Sequence, residues 1–156
     1  MTDELTPEQN AERGYTITRV FDAPRQLVWE AITRPDQFAV WFGTDQAQVE
    51  VAEMDVRPGG AWRLKMVWGE KEMPWSGQYR EVVEPERLVL AFIDADHLGE
   101  EFELFTFTLN DLGDKTELVL RQSGGHLTDE QYDEAKEGTA GFLDTMADLL
   151  AKKQEQ

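Results

Sequence analysis

The chain has 156 residues, 40% of them hydrophobic, with 32 acidic against 15 basic side chains and a net charge of −17. That length and apolar fraction predict one globular domain with a real core, and the charge argues against phosphate-rich partners, whether nucleic acid or an anionic membrane. There is no cysteine, which excludes disulfides and thiol chemistry and favours a cytoplasmic address over secretion.

Residues 1–14 are polar and acidic, unlike a signal peptide, and read as a disordered lead to a single domain over 15–153. Tyr15 to Phe21 has the β-branched, alternating pattern of a first strand. Asp22 and Pro24 predict a helix start, a capping carboxylate followed by a proline in the first turn. Leu27, Val28, Ala31 and Ile32 then form an apolar stripe at helical spacing. Pro35 ends that helix and opens a second, greasy along Phe38, Trp41 and Phe42 and stopped by Gly43.

Strand patterns follow at Val49–Val56, Ala61–Trp68, Trp75–Val83, Leu88–Ile93, Phe102–Leu109 and Thr116–Gln122. The third strand places Trp62, Leu64, Met66 and Trp68 on one face, with Arg63 and Lys65 on the other. The sixth places Phe105, Phe107 and Leu109 opposite Thr106 and Thr108. Pro58-Gly59-Gly60, Gly69–Lys71, Pro85-Glu86 and Asp111–Asp114 are turn signals, and their shortness predicts antiparallel hairpins.

Leu127 to Lys153 reads as one long amphipathic helix. Thr128 and Gln131 fit a capping box, and Leu127 with Tyr132 fits a hydrophobic staple. Tyr132, Ala135, Phe142, Leu143, Met146, Leu149 and Leu150 share a face. Gly138 and Gly141 interrupt it, each disfavoured by about 1 kcal/mol against alanine inside a helix. They predict close approach of a strand backbone or room left for a cavity. The fold class is therefore α+β: a seven-stranded curved antiparallel sheet wrapped around the C-terminal helix, with two short helices between strands 1 and 2.

The runs FDAPRQLVWEAITRPDQFAVWF, DVRPGGAWRL and GQYREVVEPERLVLAF, then Gln131 to Gly138 and Phe142-Leu143-Asp144, occur in a recognisable order. Over about Tyr15 to Ala151 the chain resembles the activators of heat shock protein 90 ATPase, of the C-terminal-domain type. That group lies within the START-like (SRPBCC) superfamily, which shares the helix-grip fold of the birch pollen allergen. The resemblance implies a hydrophobic cavity, ligand binding, or a stress-response role beside a chaperone; the superfamily also contains carriers and cyclases. Family members often carry tryptophan after the glycine that Gly138 matches, and this chain has Thr139. The eukaryotic co-chaperone has a separate N-terminal domain not found in these residues, so the resemblance does not imply its full role.

The sequence offers no catalytic constellation. His97 and His126 fall in predicted loops, and no ligand spacing for a metal, no phosphate loop and no nucleophile elbow occurs, so no catalytic residue, metal or cofactor is assigned. Tryptophan and phenylalanine suit both a core and an apolar pocket. The candidate cavity wall is Trp41, Trp68, Trp75, Tyr79, Phe92, Phe105, Phe142 and Met146. Tyr79, Arg80, Arg121 and Gln122 are polar groups that either orient a ligand or face solvent. Three functions stay open: a binding protein for an apolar or aromatic small molecule, a chaperone-interacting protein, and a cyclase- or hydrolase-like enzyme. A carboxylate or histidine in the cavity beside a tyrosine would favour the third. The chain is expected as a monomer or homodimer.

Overall fold

The structure is a computed structural model, described over residues 14–42, 48–94, 100–123 and 128–154. Strand β1 (Gly14–Phe21) leads to helices α1 (Arg25–Thr33) and α2 (Pro35–Trp41). Six strands follow: β2 (Gln48–Met54), β3 (Ala61–Trp68), β4 (Lys71–Val83), β5 (Arg87–Asp94), β6 (Glu100–Asp111) and β7 (Thr116–Ser123). Helix α3 (Asp129–Gln154) closes the chain. The strands form one antiparallel sheet in the order β1-β7-β6-β5-β4-β3-β2. Consecutive strands β2 to β7 are hairpin neighbours, and β1 joins the far side of β7. The sheet curls into a half-barrel around α3, with α1 and α2 packed beside that helix.

Alternation decides which side chains enter the curl. Along β6, Glu103, Phe105, Phe107 and Leu109 are buried while Thr106 and Thr108 are half-buried on the outer face. Along β7 the inward set is Leu118, Leu120 and Gln122, and on β3 it is Trp62, Leu64 and Met66. Helix α3 meets them with Tyr132, Thr139, Leu143, Met146 and Leu150.

Two local details differ from the sequence expectation. Asp22 does not cap α1. Pro24 is the N-cap, and its carbonyl accepts the Leu27 and Val28 amides at 3.0 and 3.3 Å. Strand β4 begins at Lys71 rather than Trp75, because Gly69 at φ +58° makes the Trp68–Lys71 turn tight enough to continue the ladder. Pro74 is tolerated there because β5 pairs with β4 only from Gly77 onward, so the proline is bonded toward β3 alone. Of the two alternatives for Gly138 and Gly141, the structure has the open one: among the described residues no strand backbone approaches either, and a side chain at either would meet open space. The capping box forms as expected: the Thr128 amide donates to Gln131 Oε1 at 2.8 Å, and the Gln131 amide donates to Thr128 Oγ1 at 3.1 Å. Leu127, Gly43, His97 and His126 lie outside the described residues.

Candidate ligand-binding site

Two cross-strand rows build one end of the concave face. In the first, Tyr15 on β1 pairs with Gln122 on β7, which pairs with Phe105 on β6. In the second, Glu103 on β6 pairs with Phe92 on β5, and Phe92 pairs with Gly77 on β4, opposite Trp62. Gly77 is required here. A Cβ at that position would lie 1.8 Å from the Ala91 carbonyl oxygen and 2.7 Å from the Trp62 ring. Its absence lets the Trp62 ring cross the strand and meet Phe92 edge-on at 4.8 Å. Phe92 also touches Trp75 at 5.2 Å and Phe105 at 5.0 Å, so one phenylalanine joins three aromatic neighbours.

Helix α3 spans these rows without filling the space beneath it. A hollow of about 290 Å³ remains, lined by Met66, Trp75, Phe92, Phe105 and Phe142, by Ala135, Gly138 and Thr139 of α3, and by Glu103 and Gln122. Phe42, tilted against Phe142 with ring centroids 5.1 Å apart, forms part of the same wall. A smaller hollow of about 20 Å³, room for about one water, lies against Trp62, Tyr79 and Leu90 and shares Phe42, Trp75, Phe92 and Phe105 with the larger one.

The polar end is a connected chain. The Tyr15 hydroxyl donates to Gln122 Oε1 at 2.6 Å and lies 2.7 Å from Thr139 Oγ1. Gln122 Nε2 in turn donates to Glu103 Oε2, and the Tyr132 hydroxyl also supports that carboxylate. Glu103 is only 3% exposed, and its Oε1 has no hydrogen-bond partner. Burial raises the Glu103 carboxyl above the ordinary value, against the opposing effect of the Gln122 and Tyr132 hydrogen bonds. Burial likewise pushes the Tyr15 hydroxyl up to about 12, and it raises Tyr79 as well. The Tyr79 hydroxyl and the indole nitrogens of Trp62 and Trp75 are buried without partners. An unsatisfied buried polar group is unfavourable by about 1–3 kcal/mol, so a cluster of four around linked hollows is unusual for a plain core.

Of the wall residues expected from sequence, Trp75, Phe92, Phe105 and Phe142 meet around the larger hollow, and Tyr79 stands at the smaller one. Trp41 and Met146 are fully buried and line neither. Trp41 instead ties α2 to α1, its indole donating to the Ala31 carbonyl at 2.7 Å. The Trp68 side chain lies outside the described residues. Gln122 joins the hollow, whereas Arg80 is exposed on the other face. Sequence patterning gives Glu103, Tyr15 and Thr139 no role in the site. The inward phase of Phe105 and Phe107, continued back by two, is the signal that reaches Glu103.

A family profile described as activator of Hsp90 ATPase homolog 1-like protein matches residues 22–151. The chain belongs to this family. Among solved structures, a protein from Chromobacterium violaceum is 26% identical with a TM-score of 0.75, covering 87% of this chain and 96% of its own. The AHSA1-like protein from Aeromonas hydrophila is 18% identical with a TM-score of 0.73, covering 91% and 96%. A protein from Staphylococcus epidermidis is 21% identical with a TM-score of 0.77, covering 98% and 95%. The last two likenesses concern the fold. No curated protein matches the sequence. Among the described residues, no helix of this family member is long and apolar enough to cross a membrane, and no cluster of ligating side chains could hold a metal ion.

Proposed function

We propose that the protein binds a small apolar or aromatic molecule in the hollow between the sheet and α3. The observation that carries this reading is the unfilled volume of about 290 Å³ bounded by Trp75, Phe92, Phe105 and Phe142. It stands near the lower end of the roughly 300–1,000 Å³ of small-molecule sites. Apolar burial would supply the affinity, and the few unpartnered polar groups would set orientation. Nile red, a neutral apolar dye, is expected to bind at micromolar concentration and quench tryptophan emission. Trp75→Ala should weaken that uptake. A native chain that takes up no dye overturns the reading.

Two further readings have support of their own. Family membership and the charge of −17 support a chaperone-interacting protein, whose acidic surface would meet a basic face in a salt-sensitive contact. Capture of the host chaperone at low salt, lost at high salt, checks it; no capture at any salt counts against it. Glu103 in the hollow beside Tyr132 supports a cyclase- or hydrolase-like enzyme. That reading requires turnover that disappears in Glu103→Gln. The cytoplasm is the compartment proposed for all three.

A further inference from the structure

We propose that the hollow selects organic amines, molecules with a small apolar or aromatic body and one ammonium group that pairs with the Glu103 carboxylate. The inference rests on the hollow being a ligand site and narrows that ligand to a chemical class.

Glu103 is the one charged side chain among the described residues that line the larger hollow. It is 3% exposed, no basic group stands with it in that lining, and its Oε1 is left without a partner. A buried carboxylate in this condition lacks a donor, and a cationic donor gives the strongest pairing. An anionic ligand would meet that carboxylate with no counter-charge from this lining.

The hydrogen-bond chain is polarised toward the same end. Tyr15 gives its proton to Gln122 Oε1, which leaves Thr139 to donate to the Tyr15 oxygen. The Gln122 amide is thereby turned with its N–H on Glu103 Oε2. Each dipole in the chain points its positive end at the carboxylate, which favours the anion. An anion held at one oxygen, with the other buried and unpartnered, favours a cationic partner over a neutral or anionic one.

The rest of the lining suits the rest of such a molecule. Trp75, Phe92, Phe105 and Phe142 present aromatic surface around the same space, and ring faces attract ammonium groups as well as apolar bodies. The net charge of −17 raises the local concentration of cations over anions before docking.

Calorimetric titration of the full chain with phenylbutylamine, phenylbutanol and phenylbutyrate tests the proposal, because the three share a body and differ in charge. The amine is expected to bind about tenfold or more tightly than the alcohol, and the acid more weakly than either. Glu103→Gln should remove the amine's advantage over the alcohol, and a cooperative urea unfolding transition shows that the variant is folded. In the native chain the advantage should also fade as acid protonates Glu103. Among the described residues, the groups that face it are Gln122 of β7, Tyr132 of α3, Phe92 of β5 and, through Gln122, Tyr15 of β1, with Thr139 of α3 in the same lining, and none of them changes charge on acidification. An amine that binds no better than the alcohol, an advantage that survives Glu103→Gln, or an advantage indifferent to acid overturns the proposal. Alcohol binding without amine preference would still leave the hollow a ligand site; binding of none of the three removes both.

Discussion

Gly77 and Glu103 face the same side of the sheet and mark its two kinds of exception. Gly77 is a glycine of space rather than of turn. Its missing Cβ is occupied by the Ala91 carbonyl and the Trp62 ring, so Gly77→Ala must push one strand from the other. That overpacking is expected to destabilise the protein by about 1–3 kcal/mol, measured by urea unfolding; unchanged stability would show that the Trp62–Phe92 contact is not tight. Glu103 is the opposite case, a charge accepted where an apolar residue would pack better. Burial holds its carboxyl above the ordinary 4.5, so the folded state binds the proton more tightly than the unfolded chain. The stability this group contributes is full below about 4.5 and is lost as pH rises through the folded value. Glu103→Gln has no proton to lose. It should unfold later than the native protein at neutral pH, with the difference closing in acid. A difference that widens in acid would contradict the direction of the shift.

Elements, by contrast, follow local rules closely. Helix α3 starts where Thr128 and Gln131 reciprocally satisfy each other's amides. It carries Asp129 and Glu130 in its first turn and Lys152 and Lys153 in its last, each complementing the helix dipole. Gly138 and Gly141 go against helix propensity, yet nothing packs where their side chains would be. Gly138→Ala and Gly141→Ala are therefore each expected to stabilise the chain by about 0.5–1 kcal/mol, additive within error because neither alanine has a neighbour to disturb. Thermal unfolding checks this, and a loss of stability in either variant would show that the helix needs glycine. Reduced dye uptake in Gly138→Ala alone would mark that residue as part of the entrance, since it lines the hollow and Gly141 does not.

At the scale of the whole molecule, 32 acidic and 15 basic residues share one domain. The ion pairs that form are at the surface, such as Arg19 with Asp144 and Lys65 with both Glu50 and Glu72, and each adds little. Self-repulsion then dominates the surface electrostatics, and added salt should raise the melting temperature by several degrees through screening; a melting point insensitive to salt would mean the charges are already balanced locally. The seven strands, the antiparallel pairing and the long last helix were legible because two-residue alternation, turn residues and a capping box are local, and local patterning states which face of each element is apolar. Most of the aromatic wall followed from the same phase. The polar end did not. A glutamate in a strand reads as a solvent-facing residue, and Tyr15, Gln122 and Thr139 meet across separations of 107 and 124 residues. Only the closure of β1 against β7, with α3 lying over both, brings those groups together beside Glu103. Which faces are apolar was thus determined by the sequence itself, through periodicity. Whether the space between those faces is filled or hollow, and which polar groups border it, was decided by tertiary packing, because volume and pairing depend on neighbours that no local pattern specifies.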